Sequence, residues 1–379
     1  MIGANILEKL LDGAEVQWVP LESCATIERG RRVTKSELAP EKKYPVYSGG
    51  VTPMGFYDKF NQKKNTITVV KYGTAGFVNF IEEDFWANDV CYCVQPEEGV
   101  NKRYLFYYLK KQEKEIRSLA TDAIPAHLPT EEILNYRVPI PCPENSRKSL
   151  DIQAKIVRVL DAFTELAAEL AAELDSRKRQ FNHIRGQLLR FESDKVELRA
   201  LREIVETVTP PSKLNSQAYC TEGRWPIVDQ GVEFIAGYTS EDVTPVPAGK
   251  YIIFGDHSEH IKYVDFPFVQ GADGIKILRP FSQNAKYIYY ALGHFYKREH
   301  GYKRHWSNAQ ETLIPIPWPD SPEVSLTEQA RIVAALDIFD TLINSTTEGL
   351  PCEIALRQKQ YEYYRDLLFS FPKPEEVEA

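Results

Sequence analysis

Side chains able to do chemistry concentrate at a few places in this sequence, the densest being Asp256-His257-Ser258-Glu259-His260, with four potential metal ligands in a run of five residues. The run follows the strand-like YIIFG, and no further histidine or cysteine stands at ligand spacing, so a metal site is the weakest of its readings. A solvated turn and a DNA-facing loop both fit it, His257 being the candidate contact. A second concentration, residues 295–306, reads FYKREHGYKRHW. The cations Lys297, Arg298, Lys303 and Arg304 suit phosphates, and Tyr302 and His305 between them suit bases. The same residues would also make the polar face of a helix followed by a loop. Lys110, Lys111, Lys114 and Arg117 are expected at the corresponding place in the first half of the chain.

The segment KYGTAG at 71–76 is a turn between strands on one reading. On the other, Lys71, Tyr72 and Thr74 approach DNA while the glycines allow close backbone contact. YSGG at 47–50 and VDQG at 228–231 hold equivalent places in the two halves, where Ser48, Asp229 and Gln230 carry donors and acceptors that match base edges. Structural turns fit these segments equally well. Arg29, Arg31 and Arg32 form a further basic cluster.

Several catalytic signatures are missing. The Pro-Pro of an amine-methylating loop occurs only in TPPS at 209–212, without its flanking Asn/Asp and aromatic residue. No phosphate-cradling GxxxxGK[ST], no GxSxG elbow and no HExxH helix is present. Methyl transfer, ATP hydrolysis, serine-type hydrolysis and zinc proteolysis are therefore not expected of this chain. Six cysteines without a C-x-x-C pair suit neither a disulfide framework nor a zinc site, and read as reduced, mostly buried thiols. The net charge of -8 weighs against DNA binding, but residues 325–379 alone hold 5 Lys+Arg against 10 Asp+Glu, which leaves the rest of the chain nearly balanced. Local basic patches can bind what the average repels. No apolar run approaches the roughly 18 residues of a spanning helix, and the first residues lack a signal-peptide pattern, so no membrane crossing and a cytoplasmic location are expected.

The elements that must position these residues are announced by an internal repeat. SLDIQAKIVRVLDAFTEL from Ser149 matches SLTEQARIVAALDIFDTL from Ser325 at 10 of 18 positions, offset by 176. RKRQFNHIRGQLLRF from Arg177 matches RQKQYEYYRDLLFSF from Arg357, offset by 180, so the second copy carries four extra residues. Upstream of each copy only landmarks survive, such as YLFYYL from Tyr104 against YIYYAL from Tyr287. The chain thus alternates variable and constant parts, and what diverged is the candidate for what is read.

The constant parts read as helices. Apolar residues recur at threes and fours from Ile152 through Phe181 to Phe191, with Ser149 as the expected N-cap and no proline up to Glu192. Such a rod is on the order of 65 Å long and needs a partner along its seam, which the second copy supplies. Leu166, Leu170 and Leu174 stand four apart in a tetrapeptide repeat, a stutter whose unit would lengthen the rod by about 6 Å. Phe181, Tyr361 and Tyr364 are expected in the seam or against a partner, together with Tyr363. Gly349 and Pro351 are expected to break the second helix. The variable parts carry strand-like runs at 66–70, 90–94, 251–254 and 274–278 and helical runs at 104–111 and 287–296, a mixed α/β reading.

LEKLLDGAEVQWVPLESCATIERG, VKYGTAGFVNF with FWANDV, and above all GLPCEIALRQKQYEYYRDLLFSF resemble the specificity subunits of type I restriction-modification systems, over nearly the whole chain. The resemblance implies two α/β target-recognition domains separated by two long helices in an antiparallel coiled coil, with a pseudo-twofold repeat. The blocks would be 1–148, the helix 149–192, 193–324, the broken helix 325–371, and a disordered tail at 372–379. It further implies that each domain reads half of a bipartite, asymmetric site in double-stranded DNA. The helices would set the spacer and dock two methyltransferase subunits, through which restriction subunits join. S-adenosylmethionine, ATP and Mg would be used by those partners, with no cofactor and no catalytic residue in this chain. Individual base-reading residues do not transfer within such a family. A metal-dependent nuclease using Asp256 and Glu259, and a coiled-coil scaffold without sequence-specific DNA binding, are the alternatives.

Overall fold

A computed structural model describes residues 4–301, 303–345 and 347–372. Candidate Tyr302 and all of the expected tail except Pro372 lie outside the described residues; the Pro372 carbonyl accepts a 2.8 Å hydrogen bond from Trp18 Nε1. The chain forms two compact units, one of residues 1–169 and 354–379, the other of residues 170–353.

In the first unit the strands are β1 (Val16–Pro20), β2 (Ala25–Arg29), β3 (Tyr44–Tyr47), β4 (Phe56–Tyr57), β5 (Thr66–Val70), β6 (Val78–Ile81), β7 (Trp86–Ala87), β8 (Cys91–Pro96) and β9 (Arg137–Pro141). They make a four-stranded antiparallel sheet in the order β2-β8-β5-β6, a three-stranded sheet β4-β3-β7 with β3 and β7 parallel, and the pair β1-β9. The helices are α1 (Ala4–Leu11), α2 (Lys102–Lys111), α3 (Glu113–Ser118), α4 (Thr130–Leu134) and α5 (Ser146–Leu188), whose residues beyond Glu169 belong to the second unit.

The second unit repeats this plan. Strands β10 (Val196–Ala200), β11 (Val205–Val208), β12 (Trp225–Val228), β13 (Gly237–Thr239), β14 (Tyr251–Gly255), β15 (Ile261–Val264), β16 (Val269–Gln270), β17 (Ile275–Pro280) and β18 (Leu313–Pro317) form sheets β11-β17-β14-β15, β13-β12-β16 and β10-β18. Helices α6 (Leu201–Ile204), α7 (Ala285–Phe295), α8 (Trp306–Ala309), α9 (Pro322–Asn344) and α10 (Leu350–Leu368) follow, the last packing in the first unit from Ile354 on. The variable parts, which share only landmarks in sequence, are thus the same fold, as the expected mixed α/β class and internal repeat require.

Each unit buries its crossover helix between sheet and long helices. In the first, Tyr104, Leu105, Tyr108 and Leu109 of α2 meet Ile67, Val69 and Val94 on one side and Ile152, Ile156, Leu160, Leu368 and Phe369 on the other. In the second, Tyr287, Ile288, Ala291 and Leu292 of α7 meet Ile252, Phe254 and Leu278, with Phe181, Ile332, Leu336 and Ile343 opposite. Full burial of each such side chain contributes about 1.5–3 kcal/mol, so these clusters dominate the stability of each unit. The long helices pair antiparallel: Phe163 stacks on Tyr364 at 5.3 Å, whereas Leu174 and Phe181 lie with Phe339, Leu342 and Ile343. Leu166 and Leu170 are half-buried, Tyr361 packs on the first core, and Tyr363 is exposed.

One local expectation changes and one holds. Ser149 is not the N-cap of α5: the helix starts at Ser146, and Asn145 Oδ1 accepts the Lys148 N–H at 3.0 Å, as a cap does. Ser149 is buried instead and bonds Gln153. The second helix is broken as expected: α9 ends at Asn344 and α10 begins at Leu350, and Gly349 takes a left-handed φ of 84°, with its Cα so near the Leu342 carbonyl that a Cβ would sit 2.6 Å from it. Pro351 stands in the first turn of α10, where no intrahelical donor is lost.

Candidate nucleic-acid interface

In the first unit one end of the four-stranded sheet carries the candidate residues. Antiparallel register sets Val70 of β5 against Cys91 of β8 and Arg29 of β2 against Tyr92, so the segments after β2 and β5 and before β8 emerge together. Arg29 is held by Asp89, its Nε donating to the Asp89 carbonyl at 2.6 Å, while Arg31 and Arg32 are exposed. Asn88, buried, donates through Nδ2 to the Val33 carbonyl (3.2 Å) and the Ser48 hydroxyl (3.4 Å), tying two of these segments together. Thr74 donates through its hydroxyl to the Gly49 carbonyl at 2.9 Å. Gly73 has φ 96°, and a Cβ there would lie 2.6 Å from that same carbonyl, so this approach requires glycine.

The segment 119–128 joins the platform. Leu128 N–H donates to the Lys71 carbonyl at 2.8 Å, and Tyr72 stacks on His127 at 5.5 Å. Lys71 Nζ lies over the Tyr72 and Tyr92 rings, 5.5 and 5.2 Å from their centroids. Ile124, at the tip of this segment, is fully exposed at 101%.

The second unit builds the same platform with other side chains. Gly255 of β14 faces Ile275 of β17, and residues 229–236, 256–260 and 271–274 emerge at that end. Gln230 ties them: Oε1 accepts the His257 N–H (3.1 Å), Nε2 donates to the Asp273 carbonyl (3.2 Å), and its own carbonyl accepts the Ser258 hydroxyl (2.5 Å). Asp229 Oδ1 accepts the Gly231 N–H at 2.8 Å, and the buried Lys262 ammonium donates to the Asp229 and Glu233 carbonyls at 2.8 and 2.6 Å. Burial lowers the pKa of that ammonium, against the attraction of Asp229 and Glu233. Asp229 and Gln230 therefore spend their polar atoms on loop shape in this structure, where base-edge contact was one of two readings.

The cluster 256–260 organises the basic stretch. Asp256 Oδ1 accepts the Trp306 N–H (2.8 Å); Glu259 accepts the Tyr296 hydroxyl (2.6 Å) and the backbone N–H groups of Glu299 (2.8 Å) and His300 (2.9 Å). Burial opposes the Glu259 charge, yet these bonds and His305 hold the carboxyl below its usual range. His305 is 0% exposed, its ring between the Gly301 carbonyl (3.1 Å) and Glu299 (3.3 Å), so its imidazole has no surface to offer a base in this structure and its assignment as a contact is corrected. The Gly301 carbonyl chiefly, and then the two glutamates, draw its pKa upward despite burial. Lys297, Arg298, Lys303 and Arg304 remain exposed, Lys303 pairing with Glu299 at 3.2 Å and accepting His257 Nδ1 at its carbonyl, 3.0 Å away.

Lys110 and Lys111 are not the counterpart of this stretch. His305 N–H donates to the Asp256 carbonyl as Leu128 N–H does to Lys71, both at 2.8 Å, so 119–128 is the counterpart. Lys110 lies on α2, its ammonium on the Val78 carbonyl (3.0 Å), Glu113 (2.5 Å) and the Phe77 ring (4.4 Å); Lys111 ends the same helix. Sequence reading missed Lys262 and Ile124, and took Asn88 only as part of FWANDV. The alternation of IKYV sets Ile261 and Tyr263 on the apolar face, yet Lys262 and Val264 are the buried pair in β15.

Comparison with known proteins places the chain among others. The profile described as "Type I restriction modification DNA specificity domain" matches residues 14–176. The chain is 34% identical over 413 aligned positions to the type I restriction enzyme EcoR124I/EcoR124II specificity subunit of Escherichia coli, covering 98% of each chain. Its fold is similar to the crystal structure of a type I restriction-modification S subunit from M. genitalium, with TM-score 0.63 and 20% identity over 96% of this chain and 98% of that one. A chain from a structure on complex assembly and conformational transition of the type I R-M system aligns with TM-score 0.54 and 15% identity, over 93% and 97%. Among the described residues no helix is long and apolar enough to cross a membrane.

Proposed function

Because the chain belongs to the family of type I restriction-modification specificity subunits, we propose that its DNA recognition is bipartite, each unit's loop platform reading one half of an asymmetric double-stranded site. The observation that carries this is the platform itself, built twice on one topology with different side chains: Arg31, Arg32, Lys71 and Tyr72 in one, Lys297, Arg298, Lys303 and Arg304 in the other. Exposed cations on each would neutralise phosphates, and the divergent loops would discriminate bases. The long helices set the spacer and dock two methyltransferase subunits, which bring restriction subunits. In this reading methyl transfer to adenine, with base flipping, and ATP- and Mg-dependent cleavage are the work of those partners in the cytoplasm, and S-adenosylmethionine binds them and not this chain.

Mapping N6-methyladenine in genomic DNA with and without the gene tests the reading. The expected result is a two-part motif with a fixed spacer that disappears on deletion. A single contiguous motif, or no change, would overturn it.

A further inference from the structure

The two units repeat one polar joint between recognition domain and long helix. In the first, Asp161 Oδ1 on α5 accepts Arg103 Nε at 2.8 Å and the Tyr107 hydroxyl at 2.6 Å, both from α2, and the Arg103 guanidinium lies 5.2 Å from the Phe80 ring centroid. In the second, Asp337 on α9 accepts Lys286 Nζ at 2.9 Å and the Tyr290 hydroxyl at 2.6 Å, both from α7, and Lys286 lies 5.4 Å from the Tyr263 ring centroid. Eight residues earlier on each helix stands a buried glutamine. Gln153 Oε1 accepts the Asn101 N–H at 2.7 Å and Gln329 Oε1 accepts the Asn284 N–H at 2.9 Å, each at the residue that caps the crossover helix. Both glutamines are 0% exposed and bond a buried serine one turn back, Ser149 or Ser325, at 3.0 Å.

We propose that Asp161 and Asp337 are positioning residues that fix the angle of each recognition domain on its own helical segment, and so the spacer length the protein accepts. This rests on the spacer-setting role proposed above. An apolar interface is non-directional and tolerates sliding, whereas a carboxylate shared by a cation and a phenol has one geometry. Eight residues separate the two anchors by about 12 Å along the helix, so 1 Å of slack at either admits roughly 5° of tilt. The aspartates are partly exposed, at 27% and 36%, and ion pairs of that kind add little to folding. Keeping them in both units, while the cation changes from arginine to lysine and the ring from Phe80 to Tyr263, fits a demand on geometry more than on stability.

The test uses the complex with its methyltransferase subunits and duplexes carrying both mapped half-sites at the native spacing, one base pair shorter and one longer. In the Asp161→Ala/Asp337→Ala double variant, which removes every acceptor of both joints, the preference for native over altered spacing should fall at least tenfold, with half-site sequences and melting temperature nearly unchanged. Arg103→Lys, which restores in the first joint the cation of the second, should keep the preference. A uniform loss at all three spacings, or an unchanged preference, would overturn the proposal. If the unaltered protein itself shows no spacing preference, the spacer-setting role fails and this inference with it.

Discussion

Glu259 offers the sharpest test of how the second platform is built. Its carboxylate accepts the Tyr296 hydroxyl at 2.6 Å and two backbone N–H groups at 2.8 and 2.9 Å, all from the segment that carries the exposed cations. Glu259→Gln keeps the size but turns one acceptor oxygen into a donor amide, leaving a buried N–H or hydroxyl unpaired and removing the charge. An unpaired buried group costs about 1–3 kcal/mol and the lost charge assistance about 1 more. Local opening of 296–305 should then rise roughly 30- to 700-fold, at about 1.4 kcal/mol per tenfold. Hydrogen exchange read peptide by peptide measures it, and affinity for the second half-site should fall while the first is unaffected. The pH dependence has two sides. Glu259, with a lowered pKa, contributes stability present above the unfolded carboxyl value and lost as pH falls through the folded one. His305, with a raised pKa, contributes stability fully present below its unfolded value near 6.5 and lost as pH rises through the folded one. Protection should therefore peak in mild acid between those limits. Unchanged exchange in the variant, or equal loss in both platforms, would refute the reasoning.

Two further outcomes are expected. Inserting one more Ala-Ala-Glu-Leu after Leu174 adds about 6 Å and a rotation of about 40° to α5; against roughly 3.4 Å and 36° per base pair this lengthens the preferred spacer by one to two base pairs. Methylome mapping of the variant checks it, and altered half-sites or an unaltered spacer would contradict it. Arg31→Ala with Arg32→Ala removes two exposed cations from the first platform, and the slope of log affinity against log salt should drop by about 2 with the target sequence unchanged; a binding titration at several salt concentrations reads this, and a changed target sequence would mean that these arginines read bases.

Much of the architecture is legible in the sequence. The offsets of 176 and 180 anticipated paired helices, and the four extra residues correspond to the break between the end of α9 at Asn344 and the start of α10 at Leu350, where Gly349 takes its left-handed turn. The equivalence of the two variable parts was legible only as landmarks, because a buried strand such as β5 or β14 asks for apolar side chains and not for particular ones. The cap of α5 was misread by one turn: serine and asparagine both cap helices, and only the Lys148 N–H geometry separates Asn145 from Ser149.

By itself the sequence determined the helices, their repeat and their seam, since periodicity and a tetrapeptide stutter are local properties of the chain. Tertiary structure alone decided which polar residues of the platforms face outward. Gln230 bonds partners 27 and 43 residues away, Glu259 partners 37 to 41 away, and His305 is buried beside both glutamates while Arg304 next to it is exposed. A side chain rich in donors and acceptors suits a base edge and a neighbouring loop equally well, and which of them it meets depends on where distant strands end.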